Sequence, residues 1–185
     1  MPDILIEACV TSVFSAMNAE KGGALRVELC DNLIEGGTTP GAGTITLARA
    51  KLSIKLYVMI RPRGGDFCYS PLEFDIMKED VKTAVSLGAD GIVAGILMPD
   101  GSIDRERMGI LRDLAGSCRF TCHRAFDMTA DKQRALDDLM GLGIERVLTS
   151  GGKNKAPEGK ELISKLVQQA GNDIIVMPGS GVNEN

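Results

Sequence analysis

The sequence predicts an α/β fold: a TIM (β/α)8-like barrel of parallel strands that stops after its seventh strand. Three observations predict it. Short apolar runs alternate with amphipathic helical patterns along all 185 residues, and strict β–α alternation demands a parallel sheet with right-handed crossovers. No shift in composition interrupts the alternation, so residues 1–185 read as one domain. Polar and charged residues gather at the C-terminal ends of several different runs, where a barrel builds its mouth from many βα loops. A doubly wound nucleotide-binding sheet fits less well, because the first run leads into Cys9-Val10-Thr11-Ser12 rather than a GxGxxG turn.

The elements follow in chain order. Apolar runs at Ile4–Val10, Leu25–Cys30, Lys55–Pro62, Gly91–Leu97, Arg119–Phe126, Arg146–Ser150 and Asp173–Pro178 are the expected strands. Between Leu72 and Leu87, Phe74, Met77, Val81, Ala84 and Val85 recur at helical spacing. Arg105–Leu114 carries Met108, Leu111 and Leu114, and Asp131–Leu142 carries Ala135, Leu136, Leu139 and Leu142. In Lys160–Ala170 the stripe is Leu162, Ile163, Leu166 and Val167. Gly23, Gly88, Gly116, Gly143 and Gly171 stand where left-handed caps close such helices. After the seventh run a helix is expected to begin near Asn183, a suitable N-cap. A complete barrel of this kind runs to about 250 residues. The eighth strand is therefore expected to be absent from this chain, and the open edges of strands one and seven to need cover, for example by a second copy in a homo-oligomer.

Composition removes several functions. Lys+Arg 21 against Asp+Glu 25 gives a net charge of −4, which argues against generic nucleic-acid binding. No run approaches the ~18 apolar residues of a membrane span, and the N-terminus lacks the basic and apolar regions of a signal peptide, so a cytoplasmic protein is expected. The single histidine, His123, forbids multi-histidine zinc or iron sites within one chain. Five cysteines, at 9, 30, 68, 118 and 122, form neither a CxxC pair nor an even disulfide framework and read as free thiols.

The strand ends hold the chemistry. Side chains alternate along a strand, so Glu7 and Cys9 share one face of the first run and Arg26, Glu28 and Cys30 one face of the second. The third run places Met59, Arg61 and Arg63 on one side and continues through Gly64-Gly65-Asp66-Phe67-Cys68. On the fifth, Thr121, His123 and Asp127 have one parity, and Cys122, Arg124 and Phe126 the other. Charges in such apolar strands are costly unless paired. One explanation is a structural ion-pair layer of Glu7 and Glu28 against Arg61 and Arg124. The other is a preorganised polar site. Backbone N–H groups of Ser150-Gly151-Gly152 and Gly179-Ser180-Gly181 could hold an anion, whereas glycines 36, 37 and 41 suit turn geometry. As an enzyme, such a site would bind a small carboxylate or phosphate through Arg61 and Arg63, with Asp66, Arg124, Asp127, Ser150, Gly151, Gly179 and Gly181 around it. Glu7 or Glu28 would then act as general base and His123 as acid or base.

Five segments, in order, are similar to the CutC family of copper homeostasis proteins. They are Arg-Val-Glu-Leu-Cys (26–30), Glu-Gly-Gly-Thr-Thr-Pro (35–40), Ile-Arg-Pro-Arg-Gly-Gly-Asp-Phe-Cys-Tyr-Ser (60–70), His-Arg-Ala-Phe-Asp-Met (123–128) and Arg-Val-Leu-Thr-Ser-Gly (146–151). The resemblance implies a cytoplasmic TIM-barrel-like protein of copper tolerance or trafficking that binds Cu(I). Carried over by motif, it marks Glu7, Glu28, Cys30, Arg61, Arg63, Asp66, Cys68, His123, Arg124 and Asp127. Cys122 departs from it, standing where a bulky apolar residue is usual. Cu(I) is soft and prefers sulfur and imidazole. Cys30 and Cys68 are the first candidate ligands, with Cys9, Met59 and His123 as additions, while the arginines favour an anion instead. Copper binding and anion chemistry both stay open at this level.

Overall fold

Residues 5–183 are described by the computed structural model. Seven parallel strands alternate with six helices among them: β1 (Glu7–Val10), α1 (Val13–Lys21), β2 (Arg26–Leu29), α2 (Ala42–Lys51), β3 (Lys55–Met59), α3 (Pro71–Ser86), β4 (Gly91–Ala94), α4 (Arg105–Ala115), β5 (Arg119–Cys122), α5 (Lys132–Gly141), β6 (Arg146–Thr149), α6 (Lys160–Ala170) and β7 (Ile175–Pro178). Short 3-10 turns follow β2, β5 and β6 at Leu33–Glu35, Arg124–Met128 and Ala156–Gly159. Ile4, the expected start of the first strand, and residues 184–185, into which the helix at Asn183 would run, lie outside the described residues.

The chain divides into two compact units: residues 1–66, 70–93 and 114–119, and residues 67–69, 94–113 and 120–185. In the first, β1, β2, β3 and β4 pair in chain order. Glu7 lies opposite Arg26, Cys9 opposite Glu28, Glu28 opposite Tyr57, and Tyr57 opposite Gly91. Val27, Leu29, Leu56, Val58 and Ile92 are fully enclosed, and Ala16 and Ala48 pack their helices down with no room to spare. Two helices start on reciprocal caps: Ser12 with Ser15 at α1, and Ser70 with Glu73 at α3, where Pro71 takes the first helical position. At Gly91 the backbone passes under the Tyr57 ring, where an added Cβ would sit 2.6 Å from the ring.

In the second unit, β5, β6 and β7 pair in order, with Thr121 opposite Arg146 and Arg146 opposite Ile175. Phe120, Leu136, Leu139, Val147 and Leu166 fill its core. The strand expected through Phe126 stops at Cys122. His123 caps a 3-10 turn instead, its Nδ1 accepting the Ala125 N–H. Strand parity therefore does not place Arg124 and Asp127 on opposite faces; the turn brings them together as an i,i+3 ion pair. The third strand likewise ends at Met59, so Arg63 stands on a loop.

Candidate functional site

In the first unit, register and alternation together create a thiol pair. Cys9 is level with Glu28, and Cys30, two residues further along the second chain segment, points to the same side. The two sulfurs approach to 3.6 Å. The Cys9 thiol also lies 3.7 Å from Glu28 Oε1, and Cys30 Sγ lies 3.7 Å from the Val10 carbonyl. Cys30 is enclosed with Tyr57, Met59 and Val93, whereas Cys9 is exposed. Gly37, at φ +91°, lets the following loop close over the pair. A Cβ there would stand 3.5 Å from Cys30 Sγ and 3.4 Å from the Met59 methyl.

The electrostatics of the pair follow from these contacts. Either sulfur can donate in the contact between them; with the proton on Cys9, that contact and partial desolvation raise the Cys9 thiol and lower that of Cys30. Burial pushes the Glu28 carboxyl well above the usual carboxylate range, aided by Cys9 and Glu7. Burial thus disfavours the charged form of Glu28 beside the Cys9 thiol.

The ion-pair layer expected from Glu7 and Glu28 against Arg61 and Arg124 is replaced by other partners. Glu7 pairs with Arg26, whose guanidinium lies 4.8 Å over the Tyr57 ring. The Arg61 guanidinium, 4% exposed, holds main-chain carbonyls: Nη1 donates to Glu35 O (2.6 Å) and Gly37 O (2.9 Å), and Nη2 to Gly65 O (2.8 Å). Arg63 binds Glu73 at 2.6 Å and Asp66 at 3.1 Å. Both arginines thus tie loops together, Arg61 directly above the glycines that cover Cys30.

In the second unit, His123 lies against Phe67, with ring centroids 5.1 Å apart. Because Nδ1 accepts from Ala125, the neutral ring carries its proton on Nε2. Gly95 leaves room for the imidazole; a Cβ there would be 2.7 Å from Cε1 and Nδ1. Asp127 gathers the loop after β6. It accepts from Arg124 Nε (2.8 Å), Thr149 Oγ1 (2.5 Å), the Ser150 N–H and hydroxyl (both 3.0 Å) and the Gly152 N–H (3.0 Å). Burial alone would raise its pKa, but these donors outweigh it and hold the carboxyl below the usual range. The Gly151 N–H goes to Thr149 Oγ1 and the Gly179 N–H to the Thr149 carbonyl, while Gly181 packs against Lys155. The N–H donors of Ser150, Gly151 and Gly179 that the sequence offered to an anion are thus already engaged within the loop. Cys68 also belongs to this unit, between Phe67 and Tyr69. Cys122 is buried deep enough for its thiol to be pushed up to about 12, which keeps it protonated and inert.

The family model described as the CutC family matches residues 4–185. This chain belongs to the CutC family. A CutC family protein of Chromobacterium violaceum is 51% identical over 180 residues, covering 97% of this chain and 73% of its own length. The human copper homeostasis protein cutC homolog is also 51% identical over 180 residues, and the chain spans 66% of that relative. A solved CutC structure from Streptococcus agalactiae superposes with a TM-score of 0.92 at 40% identity, covering 98% of this chain and 90% of that one. A solved aldolase, 13% identical, superposes at 0.74 over 99% of this chain and 84% of its own, a likeness of fold alone. The seven-stranded TIM-barrel-like fold expected from the sequence is the fold of this CutC chain.

Sequence reasoning put Glu7, Cys9, Glu28 and Cys30 on like faces of their strands but ranked Cys9 below Cys68. The missing information was the inter-strand register, which decides which sulfurs meet. Arg26 and Phe67 carry no separate signal in the sequence, and nothing in one sequence tells that Arg26 rather than Arg61 answers Glu7.

Proposed function

We propose that this CutC chain serves copper homeostasis by taking Cu(I) as cargo on the Cys9–Cys30 thiol pair. The observation that carries the reading is the 3.6 Å approach of two sulfurs, one on β1 and one just past the end of β2. Cu(I) is satisfied by as few as two soft ligands, whereas structural zinc asks for four. Among the described residues no group of three or more His, Cys, Asp or Glu is arranged to hold a metal. Cys30 contributes a sulfur already disposed to ionise, Cys9 opens the pair to solvent, and the Met59 thioether borders it. Burial disfavours a charge on Glu28, so the selectivity rests on sulfur. None of the five cysteines is in a disulfide, a state suited to a reducing compartment such as the cytoplasm.

Competition between the reduced protein and a Cu(I) chelator tests this. Cys9→Ser and Cys30→Ser are each expected to lose the contest to the chelator, with Cys68→Ser retaining the parent's affinity. Loss of binding in Cys68→Ser with retention in Cys9→Ser would instead assign the site to Cys30 and Cys68.

A further inference from the structure

The same pair has a second chemistry. We propose that Cys9 and Cys30 are a modification site, closing to a reversible intrachain disulfide when a hydroperoxide reaches them. The sulfurs stand 3.6 Å apart; Cys9 is level with Glu28 and Cys30 lies one residue past the end of β2, so reaching the ~2.05 Å of a disulfide takes a local shift of the backbone at Cys30 as well as side-chain rotation. They differ in access: Cys9 is exposed, and Cys30 is enclosed behind Gly37. Of the other three cysteines, Cys118 and Cys122 are buried, and Cys118 Sγ is engaged by the Ala89 carbonyl at 3.1 Å.

The steps balance as follows. The pair gives one proton to water and the proton left between the sulfurs moves onto Cys30, so that the exposed Cys9 sulfur, as thiolate, attacks the terminal oxygen of the hydroperoxide. The O–O bond breaks, an alcohol (or water, from hydrogen peroxide) departs, and a sulfenic acid remains on Cys9. Cys30, as thiolate, then attacks the Cys9 sulfur. The S–OH bond breaks and hydroxide leaves to take up the proton that Cys30 released. Two thiols are oxidised by two electrons and one peroxide bond is reduced. A dithiol reductant reverses the change by exchange. The consequence for metal rests on the copper reading above: a disulfide has no thiolate to offer, so copper uptake would be gated by the redox state of the pair.

Hydrogen peroxide added to the reduced, metal-free chain tests the inference by intact mass and peptide mapping. The expected result is loss of the mass of two hydrogens, a crosslink between the peptides bearing Cys9 and Cys30, and full reversal by dithiothreitol. Cys9→Ser and Cys30→Ser should each fail to crosslink, with Cys68→Ser behaving as the parent and controlling for general damage. A crosslink that needs Cys68, or hydroperoxide that leaves the Cys9 and Cys30 thiols alkylatable, would overturn it. A separate Cu(I) titration keeps the two readings apart. An oxidised chain that regains Cu(I) binding on reduction supports both, and a chain that crosslinks yet never binds Cu(I) removes the copper reading while leaving the disulfide. Cu(I) binding without any crosslink does the reverse.

Discussion

Replacing Asp127 by asparagine takes one carboxylate from five donors on four residues. Its side chain is 5% exposed, so water cannot readily replace what is lost. Arg124 is 40% exposed and can turn to water, so the loss falls on the enclosed donors of Thr149 and Ser150, where a buried group left unmet costs about 1–3 kcal/mol. Asparagine retains one oxygen for part of the network but turns an NH2 toward the rest, so the upper figure, about 3 kcal/mol, applies. At roughly 2–4 °C per kcal/mol for a chain of this size, the melting temperature should fall by about 6–12 °C. Scanning calorimetry at neutral pH measures it. The effect has a definite pH dependence. The Asp127 pKa is lowered by folding, so its contribution is complete above the unfolded carboxylate value of about 3.9 and disappears as pH falls through the folded value. Parent and Asp127→Asn should therefore differ fully at neutral pH and converge in acid. A drop under about 2 °C at neutral pH, the size of a surface substitution, or a difference that grows in acid, would refute the clamp.

Three further outcomes follow from the same contacts. Gly95→Ala places a methyl 2.7 Å from the His123 ring and 2.8 Å from Ala125 Cβ, and is expected to cost about 1–3 kcal/mol by overpacking. As His123 is the sole histidine, its imidazole NMR signals should shift in that variant, and unmoved signals would contradict the packing. Arg61→Lys loses the fork that spans the carbonyls of Glu35, Gly37 and Gly65. A loss of about 3 kcal/mol and faster hydrogen exchange across residues 33–40 are expected, while protection equal to the parent's would count against Arg61 as the loop tie. Burial raises the folded Glu28 carboxyl well above the unfolded value of about 4.3, so this group weakens the fold progressively as pH rises toward its folded value. Glu28→Gln, neutral throughout, should match the parent near pH 4 and exceed it near pH 8 in urea midpoint. A variant less stable at the higher pH would show that the carboxylate is paired after all.

The fold was legible where periodicity was strong. All seven strands and the four helices with broad apolar stripes fall within a few residues of the expected positions, and the five capping glycines have positive φ. The helices α1 and α2 gave no comparable stripe, because α1 buries only Ala16 and α2 only Ile45 and Ala48. Expected strands overran at their C-terminal ends. Ile60, Ile96 and Phe126 are apolar and buried, yet the backbone there has already left the ladder for a loop or turn, and hydrophobicity alone does not distinguish the two. The site was legible as a set of residues but not as a set of contacts. Asp127 reads as a substrate group until Thr149, Ser150 and Gly152 are seen to fill it, and Arg61 as an anion clamp until three carbonyls do. The two cysteines that meet are in the sequence; their meeting depends on how β1 and β2 align.

X-ray absorption at the copper edge of the reduced protein loaded with one equivalent of Cu(I) addresses the thiol-pair assignment most directly. A sulfur-dominated, low-coordinate spectrum is expected, unchanged in Cys68→Ser and lost in both Cys9→Ser and Cys30→Ser. A nitrogen- or oxygen-dominated spectrum, or one that persists when either Cys9 or Cys30 is removed, would contradict it.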